Sequence, residues 1–280
     1  MIPSREVLNG DYKQLMRVDR EIHVTQTPYQ NLQIFENRTF GRVLALDGVV
    51  QTTEADEFIY HEMLAHPPIL AHGGVRKVLI IGGGDGGCAE EVLKHDVETV
   101  VMVEIDGAVV AAAKAHLAMI SNGAFDDPRL SLIIGDGARY MQSMAQSVER
   151  FDLIIIDSTD PIGPGVVLFE DAFYTDCQRV LAPGGILVTQ NGVPFVQRLQ
   201  YQTTGATRAK LFRHAGFYFA TVPSYCGGPL AFGWASDTLD LAQLDLAQLE
   251  AAHDRFGTTL RYYNPLVHLG AFATPNFLRL

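Results

Sequence analysis

A chain of 280 residues can bury a sizeable core, either as one large α/β domain or as a main domain with a smaller companion. Hydrophobic residues at 48% and charged residues at 19% describe a folded globular chain and exclude wholesale disorder. The net charge of -11, from 21 basic and 32 acidic residues, argues against a nucleic-acid or anionic-membrane partner, which needs a basic face, and suits a cationic ligand.

Met1–Gly10 carries no apolar core of the kind a signal peptide needs. Strand periodicity begins at Arg20-Glu-Ile-His-Val-Thr, where Ile22 and Val24 alternate with polar neighbours. Further on, Asp47-Gly48 stands between two apolar runs, a two-residue hairpin signal. From Asp56 to Leu70 the period lengthens: Phe58, Ile59, Glu62, Met63 and His66 predict a helix that Pro67-Pro68 brings to an end.

After Gly73-Gly74, strands alternate with helical stretches such as Gly107 to Met119. The predicted strands are Lys77 to Ile81, Thr99 to Val103, Leu130 to Ile134, Asp152 to Asp157, Gly185 to Gln190 and Phe217 to Val222. Most are continuous apolar runs, the mark of parallel strands covered on both faces, so the alternation predicts a doubly wound sheet. None is long enough to span a bilayer. Two units follow, a β-strand domain over residues 1–66 packed directly on a larger domain over 67–280. Cys88, Cys177 and Cys226 are odd in number and lack metal-ligand spacing, which reads as thiols in a reducing, cytoplasmic compartment.

Gly82, Gly84 and Gly87 form a GxGxxG loop between a strand and a helix, where backbone can approach a ligand closely. Glu104 ends the next strand, placed to accept from ribose hydroxyls. The pattern alone fits NAD and S-adenosylmethionine enzymes equally. Asp85 separates them, because a carboxylate in this loop would repel a pyrophosphate. Methyltransferases usually carry an acid two residues before the first glycine, but Ile80 stands there. A ligand tail with an ammonium and no carboxylate suits Asp85. Asp136 and Gly137 close the third strand, where the Asp can meet an adenine amino group and the glycine N–H the ring, or the Asp can simply cap a helix.

The run Leu153-Ile-Ile-Ile-Asp157-Ser-Thr-Asp160-Pro-Ile-Gly-Pro-Gly is the most informative. An apolar strand delivers two carboxylates to the ligand-binding edge of the sheet. The Pro/Gly loop that follows predicts a lid over residues 158–167.

Here the chain resembles the spermidine synthase family. The resemblance rests on Asp157-Ser-Thr-Asp-Pro-Ile-Gly-Pro-Gly, on Gly82-Gly-Gly-Asp-Gly, on Leu46-Asp-Gly-Val-Val-Gln-Thr-Thr-Glu-Ala-Asp-Glu-Phe-Ile-Tyr-His-Glu-Met, and on Tyr262-Tyr-Asn-Pro near the end. It implies an α/β fold with a Rossmann-like, methyltransferase-type parallel sheet and a small amino-terminal β-domain. It implies transfer of an aminopropyl group from decarboxylated S-adenosylmethionine, a co-substrate rather than a cofactor, to putrescine or a similar diamine, giving spermidine and methylthioadenosine. Asp157 would accept the proton, with Asp160 beside it on the diamine and Asp85 on the aminopropyl amine. Glu104 would hold the ribose, Asp136 and Gly137 the adenine, and Pro164 and Gln30 the nucleoside. Gln51, Tyr60, His61 and Tyr225 would line the amine channel. No metal is called for, and a homodimer or homotetramer is expected. Two departures stand out: a short segment before Gln30 and Val166-Val167 after the Gly-Pro-Gly. The rival readings are a diamine N-methyltransferase on intact S-adenosylmethionine, a non-catalytic polyamine or nucleoside sensor, and, more distantly, an NAD oxidoreductase.

Overall fold

The structure, a computed structural model, describes residues 4–5, 12, 14–161 and 163–279. Most of Met1–Gly10, and Ile162 in the expected lid, lie outside the described residues. Strands β1 (Ser4–Arg5) and β2 (Leu15–Met16) pair antiparallel. Next comes an antiparallel sheet in the order β3 (Arg20–Gln26), β4 (Asn31–Asn37), β5 (Gly41–Leu46) and β6 (Val49–Thr53). Asp47 at φ 50 and Gly48 at φ 80 form the hairpin turn between β5 and β6, as the Asp-Gly pair predicts.

Helix α1 (Glu57–His72) runs straight through Pro67 and Pro68 instead of stopping at them. Pro67 has no N–H to give the Met63 carbonyl, and the Tyr218 hydroxyl donates to that carbonyl at 2.8 Å instead. The helix continues past both prolines until Gly73 turns the chain at φ 72. The expected boundary after residue 66 thus falls inside α1, whose buried residues belong to the core of the larger unit.

The remainder alternates: β7 (Lys77–Gly82), α2 (Gly87–Leu93), β8 (Thr99–Glu104), α3 (Gly107–His116), α4 (Ala118–Ser121), β9 (Leu130–Ile134), α5 (Gly137–Met144), β10 (Phe151–Asp157), α6 (Asp171–Val180), β11 (Leu181–Gln190), α7 (Arg198–Leu211), β12 (His214–Ala220), β13 (Leu230–Ser236), α8 (Leu246–Phe256) and α9 (Pro265–Ala271). The large sheet has the order β12-β13-β11-β10-β7-β8-β9. Strands β7 to β11 are parallel, whereas β13 is antiparallel to both of its neighbours. Strand β13 was not among the predicted strands. It inserts between β11 and β12, and Gly233 within it makes room for the Arg208 guanidinium, which would lie 2.3 Å from a Cβ there.

The chain winds outward from β7 through β8 to β9, then crosses back to β10 beside β7. The carboxyl ends of β7 and β10 therefore flank the topological switch point, where open α/β sheets bind ligands. The small sheet closes over this edge. Its Leu32, Ile34, Leu44 and Leu46 pack on Val109 of α3 and Ile120 of α4, an apolar seam that fixes the two units together.

Candidate active site

A cleft of about 390 Å³ opens at the switch point. The loop after β7 supplies Gly82, Gly84 and Asp85, β8 supplies Glu104, the turn after β9 supplies Asp136 and Gly137, and β10 with its following loop supplies Asp157, Asp160 and Pro164. From the amino-terminal side come Gln30, Gln51 and, on α1, Tyr60; Tyr225 enters from the loop after β12. His61 stands behind the lining, 1% exposed.

Backbone geometry explains why the loop must be glycine. Gly82 pairs with Asp157 across the sheet and has φ 90; a Cβ there would lie 2.0 Å from the Asp157 carbonyl oxygen. The Gly83 N–H donates to that same carbonyl at 2.9 Å. The two residues that bring the loop down on Asp157 are therefore Gly82 and Gly83, the second of which the GxGxxG spacing does not single out.

Two carboxylates meet under this loop in different environments. The Tyr60 hydroxyl donates to Asp157 Oδ1 at 2.6 Å. Burial first, and then the nearby charge of Asp85, push the Asp157 carboxyl up to about 6, against a downward pull from His61 and Tyr60. Burial would raise Asp85 as well, but His61 and the Gly87 N–H, which donates to Asp85 Oδ1 at 2.9 Å, hold it below the usual range. One atom each from His61, Asp85 and Asp157 lie within 4.8 Å of one another, so the two carboxylates share one imidazole neighbour. Two acids pushed apart in this way take different roles, a fixed anion and a group able to take up and release a proton near neutral pH.

Glu104 is buried and accepts from the Asp106 N–H at 2.8 Å; burial pushes its carboxyl up to about 7. Asp106, which sequence reasoning missed, joins the two units. Its Oδ2 accepts from Thr27 Oγ1 at 2.7 Å and from Gln30 Nε2 at 3.1 Å, while Oδ1 caps α3 through the Ala108 N–H. Asp136 does cap α5, accepting from the Ala138 and Arg139 N–H groups at 2.9 and 3.2 Å.

Asp160 faces two glutamines that no sequence motif flagged. Gln190, ending β11, donates to the Ser158 carbonyl at 3.1 Å and toward Asp160 Oδ1 at 3.4 Å. Gln197 accepts from the Val193 N–H at 2.6 Å, and both glutamines line the cleft. Burial raises Asp160. The signal available for Gln190 was its place at the carboxyl end of a sheet strand; Gln197 had none. Tyr225 donates its hydroxyl to the Gln51 carbonyl at 2.5 Å, and its ring meets Tyr60 edge-on at 6.1 Å. Gly163, Pro164 and Gly165 of the expected lid border the cleft, and Val166 and Val167 are 43% and 40% exposed.

Comparison with known proteins agrees in both units. Residues 57–245 match the spermine/spermidine synthase domain and residues 5–54 the spermidine synthase tetramerisation domain. Polyamine aminopropyltransferase 1 of Pseudomonas aeruginosa is 55% identical, covering 99% of this chain and 96% of the relative. Polyamine aminopropyltransferase of a Ruegeria species is 53% identical, covering 99% and 96%. A crystal structure of spermidine synthase with the transition-state analogue AdoDATO superimposes with a TM-score of 0.92 at 40% identity, covering 99% of this chain and 93% of that one. Spermidine synthase from Thermotoga maritima gives 0.89 at 38%, covering 99% and 92%.

Proposed function

The chain belongs to the spermine/spermidine synthase family, and we propose that its cleft joins a diamine to the aminopropyl group of a sulfonium nucleoside by direct displacement. It is a polyamine aminopropyltransferase: decarboxylated S-adenosylmethionine and putrescine are its substrates, spermidine and methylthioadenosine its products. The likeness to a spermidine synthase holding AdoDATO supports aminopropyl transfer over methylation. The observation that carries the residue assignment is the pairing of Asp157, pushed up to about 6, with Asp85, held down beside it.

In this reading the sulfonium needs no activation, since it is already a good leaving group. The enzyme must instead supply a neutral amine, because diamine ammonium groups titrate near ~10. Asp157 takes one proton from the attacking ammonium, and Tyr60 holds the carboxylate in place. The freed nitrogen lone pair attacks the carbon bonded to sulfur, the C–S pair leaves on sulfur as a thioether, and the new secondary amine carries the positive charge. Asp85 holds the aminopropyl ammonium, and Asp160 the diamine. Glu104, Asp136, Gly137, Pro164 and Gln30 hold the nucleoside, with Gly82 and Gly84 letting it approach. Gln51, His61 and Tyr225 shape the amine side. Positioning supplies more of the rate than proton transfer does.

The match to a tetramerisation domain supports a homo-oligomer. No helix among the described residues is long and apolar enough to cross a membrane. The buried thiols of Cys88 and Cys177 support the assignment to the cytoplasm, and the division into residues 1–66 and 67–280 belongs to the same reading. The test is incubation with decarboxylated and intact S-adenosylmethionine against a diamine panel, with products identified by mass spectrometry. Methylated diamine, or no transfer from the decarboxylated donor, defeats the reading.

A further inference from the structure

Glu57 and His61 sit one turn apart at the start of α1, behind the wall of the cleft. Glu57 Oε2 lies 2.7 Å from His61 Nδ1. The opposite ring nitrogen, Nε2, faces Asp85 Oδ2 at 3.6 Å. The ring has little freedom to move. It is 1% exposed, and a Cβ on Gly87 would fall 2.3 Å from its Cε1, so the slot exists because position 87 is glycine. On the far side, Arg261 Nη1 approaches Glu57 Oε1 at 3.9 Å while its guanidinium lies 3.6 Å from the centre of the Phe58 ring.

An imidazole between two carboxylates keeps both its protons. Burial pulls His61 down, but Asp85 and Glu57 together outweigh it and hold the ring well above its usual value. The other ionisable groups facing it are Asp157 at the end of β10, Glu91 on α2 and the Tyr60 ring, whose centroid is 5.2 Å away. The doubly protonated ring has two consequences for Asp85. Its Oδ1 accepts the Gly87 N–H and its Oδ2 has the imidazolium as an ion-pair partner 3.6 Å away, so the two oxygens are held from different sides. The Glu57 charge also opposes that of the imidazolium, more than the exposed and solvent-screened Arg261 offsets it, so that Asp85 keeps negative charge to offer an incoming cation. Without Glu57, a charged His61 would neutralise Asp85, and a neutral His61 would no longer be held in one protonation state.

We propose that Glu57 is a positioning residue for donor binding: acting through the His61 ring, it orients the Asp85 carboxylate toward the cationic end of the donor. This rests on the assignment of Asp85 to the aminopropyl ammonium made above.

The test compares Glu57→Gln, Glu57→Asp, Asp85→Asn and the Glu57→Gln/Asp85→Asn double variant, with decarboxylated S-adenosylmethionine as probe. Glu57→Gln should raise the donor KM by about tenfold, the lower end of what a charge-assisted hydrogen bond carries, with a smaller change in kcat. Nitrogen NMR of the His61 ring should show it protonated at neutral pH in the parent and losing its proton at lower pH in Glu57→Gln than in the parent. Glu57→Asp, which restores the charge, should recover much of the donor KM. In the Asp85→Asn background, Glu57→Gln should add little, because the two act through one contact. If Asp85→Asn raises the donor KM and Glu57→Gln does not, the Asp85 assignment stands and this proposal fails. If Asp85→Asn leaves the donor KM unmoved while Glu57→Gln still shifts the His61 signal, the Asp85 assignment fails and takes the proposal with it.

Discussion

The Tyr60 hydroxyl and Asp157 Oδ1, 97 positions apart in the chain, meet at 2.6 Å across the cleft. That bond stabilises the ionised form of the Asp157 carboxyl, opposing the burial that pushes it up to about 6. In the proposed mechanism Asp157 acts as the anion, so kcat/KM for the diamine should show an acid break at about 6, separate from the diamine's own titration near ~10. Tyr60→Phe removes a stabiliser of the charged form, so the break should move to higher pH. A pH–rate profile reads this directly, and a break that stays put or moves down would detach Tyr60 from Asp157.

Asp157→Asn should lower kcat by roughly 10²–10⁴-fold, the usual range for loss of a general base. The proposed mechanism assigns Asp157 to the nucleophile, so affinity for the nucleoside donor should survive. Single-turnover kinetics and donor titration on the same preparation separate the two effects. Near-normal turnover would remove Asp157 from its role.

The nucleoside loop and the Asp157 segment were legible because each is a local pattern at the end of an apolar strand. Once β7 and β10 are recognised as strands of one parallel sheet, Gly82, Asp85, Glu104, Asp136 and Asp157 all fall at its carboxyl edge. Gln51, Tyr60 and Tyr225 came only from family likeness, since no local rule sends an amphipathic helix or a turn tyrosine into a cleft. Gln190, Gln197 and Asp106 were not legible at all. Their roles depend on which loops the tertiary fold brings alongside, and Asp106 looks in sequence like an ordinary cap for α3. Strand β13 was hidden for a related reason. Its Gly233 is there to clear the buried Arg208 from α7, a contact that sequence spacing does not encode.

The Pro67 gap in α1 leads to a stability prediction. Tyr218 is fully buried, and its hydroxyl reaches the Met63 carbonyl that Pro67 cannot serve. Tyr218→Phe would leave that carbonyl without its donor at a cost of about 1–3 kcal/mol. The loss should appear as a lower urea midpoint at an unchanged slope. An unchanged midpoint would mean that α1 crosses its prolines without help from Tyr218.

Donor choice is the sharpest test of Asp85. With the decarboxylated donor, Asp85 can make a charge-assisted hydrogen bond to the aminopropyl ammonium, worth roughly 1.5–3 kcal/mol. Intact S-adenosylmethionine would bring a third carboxylate beside those of Asp85 and Asp157, and like charges in a partly desolvated pocket repel. Asp85→Asn keeps the shape and removes the charge. Affinity for the decarboxylated donor should fall by roughly ten- to a hundredfold, following that energy, while binding of S-adenosylmethionine should hold steady or improve. Calorimetric titration of both donors into both proteins gives the four affinities. An equal loss for the two donors would reduce Asp85 to a shaper of the glycine loop, because only a charge contact distinguishes a tail with a carboxylate from one without.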